Sequence, residues 1–282
     1  MGYLHIDNLY KAQEILAFKE CYALEKIHGT SAHIRFDGEK VSFFSGGEKH
    51  VNFVALFDDG FLTQKLLELI GKPCFLYGEA YGGKCQGMSK TYGPSLKFIV
   101  FDVMIGDMWL SVPQAAEVAI AHGLEFVHFE KLSTDLSTLD AARDAQSTQS
   151  VRNGIQEPRI MEGVVLRPVF EVTLNNGKRI IAKHKRAEFQ ERASIPEVDP
   201  TKRQIIDDAE AVAFEWVTPM RLNHVLDKLV GEKDMALTGA VIRAMVEDVV
   251  REAEGEIVDH KAVRKAIGAR AAVLYKELVC KI

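Results

Sequence analysis

Lys26 stands where an apolar stretch gives way to a glycine turn, in Leu24-Glu25-Lys26-Ile27-His28-Gly29-Thr30. Three downstream blocks carry side chains that suit the company of a lysine: Tyr77-Gly78-Glu79-Ala80-Tyr81, Met161-Glu162-Gly163-Val164-Val165 and Ile181-Ala182-Lys183-His184-Lys185. One lysine, two carboxylates and two more lysines, each on or beside a strand-like run, suit attack on a nucleotide phosphate. An amine attacks only when neutral. An ordinary lysine pKa of roughly 10.4 means that burial or nearby cations must favour the free base. Lys183 and Lys185 alternate with His184, so on a strand both face one side. There they would supply a positive field and neutralise charge developing on a phosphate. Glu162 precedes an apolar Val-Val-Leu run, where a carboxylate suits Mg²⁺ shared with phosphate oxygens. Glu79 has small neighbours that leave room for a ligand, and its carboxylate suits ribose hydroxyls. Phe101, at the end of Phe98-Ile99-Val100-Phe101, would stack on a base. Taken singly, each residue has a plainer role on a solvated strand or in the core. Order and spacing together carry the reading.

The elements that must hold these groups are mostly short strands. Thr30–Phe36 and Lys40–Ser45 flank Asp37-Gly38, a hairpin signal. Phe75–Tyr81 and Leu96–Val103 are strand-like, and Val164–Leu174 and Arg179–Lys185 flank the hairpin turn Asn175-Asn176-Gly177. Gly60–Ile70 and Gln114–His122 have helical patterning. The character changes after Ser194, where Pro196 and Pro200 punctuate a stretch poor in apolar residues. Thr218-Pro219 then offers an N-cap followed by proline in the first turn. Apolar residues follow at helical spacing: Leu222, Val225, Leu226, Leu229 and Val230; Val241, Ile242, Met245, Val246 and Val249; Ile267, Ala271, Leu274 and Leu278. The expected organisation is α+β: antiparallel sheets with helices over residues 1–194, a linker over 195–202, and a small all-helical domain over 203–282. The helical stripes pack on one another.

Bulk properties narrow the classes. The 282 residues are 47% hydrophobic and 27% charged, so the chain can bury a core. A net charge of −5 excludes a protein coated in positive potential, so a nucleic-acid binder with this balance must concentrate its basic groups. Cys21, Cys74, Cys85 and Cys280 form no Cys-x-x-Cys pair, which argues against a zinc or redox motif and fits a reducing, cytoplasmic setting. No apolar run approaches the ~20 residues of a membrane span.

The ordered blocks resemble the covalent nucleotidyltransferases, the nucleic-acid ligases and messenger-RNA capping enzymes. Lys26-Ile27-His28-Gly29 matches their nucleophile motif. Phe75–Tyr81, Phe98–Val103, Met161–Leu166 and Ile181–Lys185 match four further motifs in order. His28, where other branches carry aspartate, is similar to the double-strand-sealing RNA ligase 2 type. The helical tail is too, since DNA ligases and capping enzymes carry a β-rich domain there. The resemblance implies an ATP-grasp-like ligase core, ATP with Mg²⁺ or Mn²⁺, and an ATP-dependent RNA ligase acting on nicked or base-paired RNA ends. It implies lysyl-AMP on Lys26, ribose contact by Glu79, and adenine stacking by Phe101. Glu162 would hold metal, Lys183 and Lys185 would touch phosphates, and Glu25 would join the ATP site. A DNA or hybrid ligase, or an end-binding protein that has lost sealing, stays open as an alternative.

Two positions depart from the resemblance. Ser31 stands where close relatives carry asparagine, and Phe43-Phe44-Ser45-Gly46-Gly47-Glu48 lacks their arginine. Backbone N–H groups of Gly46-Gly47 near a phosphate, or an ordinary turn, are equal readings. The run Lys178, Arg179, Lys183, Lys185, Arg186 and Arg192 is a candidate track for an RNA backbone. His28 is expected to shape its loop by hydrogen bonding. Trp109 and Trp216 are expected in the core.

Overall fold

The computed structural model describes residues 2–193, 208–229 and 234–280. The chain forms two compact units, Met1–Arg186 and Ala187–Ile282. The linker expected over 195–202 lies outside the described residues.

The first unit holds two antiparallel sheets. Strands β1 (Glu20–Glu25), β2 (Thr30–Phe36) and β3 (Val41–Ser45) come first, then helices α1 (His50–Val54) and α2 (Asp59–Leu69). Next come β4 (Cys74–Gly82), α3 (Ser89–Tyr92), β5 (Leu96–Ile105), β6 (Met108–Trp109) and α4 (Val112–Ala121). The unit closes with β7 (Phe129–Ser133), α5 (Leu136–Arg143), α6 (Thr148–Arg152), β8 (Gly163–Pro168) and β9 (Ala182–Lys185). One sheet has the order β7-β1-β8-β9, the other β3-β2-β4-β5-β6.

Alternation along β2 shows how the larger sheet is laid. Ala32, Ile34 and Phe36 are fully buried and face a core that includes Phe53, Leu62, Leu66 and Ala115. Ser31, His33 and Arg35 take the opposite face. The Asp37-Gly38 hairpin forms as expected: Asp37 Oδ1 accepts from the N–H groups of Glu39 and Lys40 at 3.0 and 2.9 Å. Helix α2 starts one residue before the expected Gly60, because the Asp58 carboxylate accepts from Phe61 N–H at 2.9 Å. Helix α4 likewise begins at Val112, where Gln114 Oε1 accepts from the Ser111 N–H.

The second hairpin is shorter than its sequence pattern. The β8–β9 ladder runs from the Gly163–Lys185 pair to the Leu166–Ala182 pair. Strand β8 stops at Pro168, which has no N–H to donate. Pairing resumes only beside the Asn176-Gly177 turn, with a Thr173–Arg179 bridge.

The second unit is helical over its described residues, with α7 (Ala209–Trp216), α8 (Pro219–Asp227), α9 (Thr238–Glu252) and α10 (Lys261–Val279). The Thr218 hydroxyl accepts from Arg221 N–H and caps α8. Leu222, Val225, Leu226, Val241, Met245, Val249, Ile267 and Ala271 are buried together with Trp216. Each such side chain removed from water contributes about 1.5–3 kcal/mol before the entropy of ordering. Val230 lies outside the described residues, and Leu229, Ile242, Val246, Leu274 and Leu278 sit only partly buried at the edges.

Candidate active site

Lys26 follows the last residue of β1, and its N–H donates to Gly163 O at 2.9 Å, which ties it to the start of β8. Gly163 has φ +142°, and a Cβ there would meet His184 O at 2.1 Å, so only glycine lets β9 approach this closely. That approach brings Lys185 to Glu162. The Glu162 carboxylate then gathers three groups: Lys26 Nζ at 3.1 Å and His28 Nδ1 at 2.9 Å on Oε2, and Lys185 Nζ at 2.8 Å from Oε1. Burial alone would raise the Glu162 carboxyl. Lys185, Lys26 and His28 overcome that and hold it well below the usual carboxylate range.

Glu79 reaches the same spot from β4, opposite Ser31 of β2. Gly29 packs so tightly on β4 that a Cβ would lie 2.3 Å from Ala80 O and 3.0 Å from Glu79 Cγ. Burial of that carboxyl in the cavity wall raises it to about 8; Lys26 opposes the rise and Glu162 adds to it. Phe101 owes its position to a bulge, since Tyr77 pairs with Asp102 and Gly78 with Val100. The extra residue is re-aimed, and its ring lines the cavity against Tyr3, with centroids 4.9 Å apart.

These side chains surround a cavity of about 260 Å³ with apolar walls from Leu24, Val127 and Val165. Glu25, Lys26, Glu79, Phe101 and Lys183 all line it, as does Ser31. Glu162 and Lys185 do not line it; Glu162 joins it through its contact with Lys26. The Glu25 carboxylate is turned to the start of α6, where it accepts from Ser147 Oγ at 2.5 Å and Gln149 N–H at 3.0 Å. Burial raises it, although both donors oppose the rise. The alternation of β9 is as the sequence implied, with His184 paired to Asp140 of α5 at 2.7 Å.

Glu162 is the one carboxylate of this cluster that would serve a divalent metal, as a single ligand beside phosphate oxygens. Glu162 Oε1 is buried and accepts no aligned hydrogen bond, its contact with Lys185 being an ion pair. No group of three or more His, Cys, Asp or Glu side chains that could hold an ion occurs among the described residues. Mg²⁺ and ions like it accept such sparse protein ligation when phosphate oxygens and water complete the shell.

A family model described as RNA ligase matches residues 19–185. The chain belongs to the RNA ligase family. Solved structures of similar fold include forms of an RNA ligase from Naegleria gruberi. A mutant with ATP and Mn is 14% identical with a TM-score of 0.50, covering 66% of this chain and 56% of that one. A form with PPi is 15% identical at the same TM-score and coverage. The chain therefore spans little more than half the length of these structures, and at such identity the likeness concerns the fold.

Several residues of this family member escaped the sequence reading. Tyr3, Leu4, His5 and Ile6 line the cavity, and their segment is pinned where Leu9 N–H donates to Lys183 O and Lys183 N–H to Asp7 O. Arg167 and Arg179 both pair with fully buried Asp102, next to Phe101. No periodicity or turn chemistry marks such long-range partners. His28 does hydrogen-bond as expected. Trp216 is core, whereas Trp109 is half-buried beneath the Arg179 guanidinium, 4.0 Å from its ring. Much of the basic run is engaged within the protein. Arg179 is buried on Asp102, Lys178 pairs with Asp7, and Arg192, in the second unit, pairs with Glu215 and Glu256. Gly46 N–H donates to Ser31 O at 2.8 Å, so it is a turn donor and not a phosphate ligand.

Proposed function

We propose that the chain is an ATP-dependent RNA ligase that is charged with AMP on Lys26. Lys26 Nζ attacks the α-phosphorus of ATP, the new N–P bond forms, and pyrophosphate leaves with the electrons of the broken P–O bond. An RNA 5′-phosphate oxygen then takes the AMP and frees Lys26. A 3′-hydroxyl finally attacks the 5′-phosphorus and AMP departs. The single observation that carries this reading is Glu162 bound at once to Lys26, His28 and Lys185 beside the cavity lined by Lys26, Glu79, Phe101 and Lys183.

Roles follow from chemistry. Glu162, held strongly ionised, is a poor base, so it orients Lys26 and offers Oε1 to Mg²⁺ or Mn²⁺. A bound metal would supply charge neutralisation on the phosphates. Lys183 and Lys185 add fixed positive charge where the phosphate becomes more negative. Glu79, with a pKa of about 8, can both donate to and accept from ribose hydroxyls near neutral pH. Phe101 supplies a flat wall for adenine. Family membership and the fold shared with a ligase solved with ATP and Mn support the nucleotide and the metal. RNA ends are the partner that family membership supports. Three buried cysteines free of disulfides accord with a cytoplasmic setting.

Incubation with labelled ATP and Mg²⁺ or Mn²⁺ tests this. The wild type should retain a covalent label that Lys26→Ala abolishes, and RNA bearing a 5′-phosphate should discharge it. Equal labelling of the alanine variant, or labelling from GTP in preference to ATP, would remove the mechanism.

A further inference from the structure

Strand β2 leaves the cavity carrying Ser31, His33 and Arg35 on one face. Ser31 lines the cavity, and the register sets Phe44 of β3 opposite His33 and Phe75 of β4 opposite Arg35. The rings form a connected cluster in which His33 and Tyr77 are buried and Phe44 and Phe75 reach the surface. His33 and Phe44 stack at 5.0 Å and 20°, Phe75 and Tyr77 stack at 5.4 Å and 6°, and the Arg35 guanidinium lies 5.9 Å from the Phe75 ring centre. Phe44 is 46% exposed, Arg35 is exposed and Phe75 is half-buried. Burial lowers His33 to about 4, so its ring is uncharged at neutral pH. The opposite face of the same strands is the protein core.

We propose that this face carries a single-stranded RNA segment, its bases stacked on Phe44 and Phe75 and a phosphate on Arg35, leading to the reactive end at the cavity mouth. The proposal rests on the ligase reading and names the state of its substrate. Positions 31 to 35 span about 13 Å of strand, enough for a few nucleotides at ~3.4 Å per stacked base. Three observations favour an unpaired strand over a duplex. First, the surface is continuous with the cavity through Ser31. Second, Arg179 and Lys178 of the basic run are paired within the protein. Third, aromatic platforms bind bases whose faces are free, and a duplex hides those faces in its own stack.

The test uses the full chain and a short unstructured oligoribonucleotide that carries a fluorophore and no 5′-phosphate, followed by anisotropy over a salt series. Phe44→Ala should weaken binding about tenfold, the scale of one lost stacking contact, and Phe44→Trp should restore it. Arg35→Ala should weaken binding and reduce the salt slope by about one phosphate contact. Binding of a blunt RNA duplex should not move in either variant. Labelling of Lys26 by ATP should match the wild type in both, and it reports separately on the ligase reading: wild-type protein that takes no label sinks that reading while the anisotropy still judges the face. Equal oligonucleotide affinity of Phe44→Ala and wild type would overturn the proposal, as would an equal loss for duplex and single strand. Absence of RNA binding, with a dimer that Phe44→Ala disperses, would give the face to a second copy of the chain and overturn it too.

Discussion

Glu162 satisfies two buried or half-buried lysines and a histidine with two oxygens, so replacing it separates its structural and chemical effects. In Glu162→Gln the buried Lys185 ammonium loses its counter-charge. Breaking such a pair from one side costs about 3–5 kcal/mol, and the melting temperature should fall. Labelling of Lys26 should fall on the order of 10²–10³, the usual cost of losing one preorganised electrostatic group. Adding Lys185→Met should recover part of the stability and none of the labelling, because an apolar side chain tolerates that site and cannot touch a phosphate. Recovery of both would show that Glu162 acts only through folding. Glu79 gives a pH signature. Its carboxyl, raised by burial to about 8 from an ordinary value of 4.5, keeps a proton in the folded chain that the unfolded chain gives up. Its contribution to stability is therefore complete below about pH 4.5 and is lost as pH rises toward 8. Glu79→Gln should flatten that part of the curve in thermal unfolding between pH 5 and 8. Glu162, shifted the other way, titrates below this window. A variant with the wild-type slope would show that Glu79 is solvated like a surface carboxylate.

At the scale of elements, the site depends on how closely β8 and β9 approach. Gly163→Ala would drive a Cβ into His184 O, and backbone on both sides leaves no flexible group to yield. The ladder should open at the end that carries Glu162 and Lys185, so both melting temperature and Lys26 labelling should drop. Labelling at the wild-type rate would mean that the ladder does not set the cluster. The same elements explain what was legible in the sequence. Glu79, Glu162, Lys183 and Lys185 stood out because strands fix side-chain direction at period two, and glycine flanks mark close approach. The reach of β8 was overread because alternation continues past Pro168, which has no N–H to give to the ladder. The cavity wall from Tyr3 to Ile6, and the Ser147 and Gln149 anchors of Glu25, gave no signal. Their roles come from contacts between residues far apart in the chain, and no local pattern encodes those. The basic run misled for a related reason: sequence counts charges, whereas Asp102, Asp7 and Glu215 decide which remain available.

At the scale of the whole chain, the RNA-ligase match ends at residue 185 and the first compact unit at Arg186. Phe189 and Arg192, inside the stretch that the sequence assigned to the first domain, belong to the second unit, where Arg192 pairs with Glu215 and Glu256. We infer that a fragment ending at Arg186 folds on its own, since both sheets and their core lie within it. Extension to Ala193 should add no stability, because Arg192 would have lost its partners. The second unit holds 18 acidic and 14 basic residues, so it is not a general clamp on phosphates. Its contribution to joining should then come from few contacts. The fragment should take AMP from ATP at a rate near that of the full chain and lose end joining first. Its salt slope for RNA binding should change by no more than about one phosphate contact. Circular dichroism, Lys26 labelling and sealing of a pre-adenylated RNA measure these in turn. An insoluble fragment would show that the two units share one core. Full sealing by the fragment would remove any substrate role from residues 187–282.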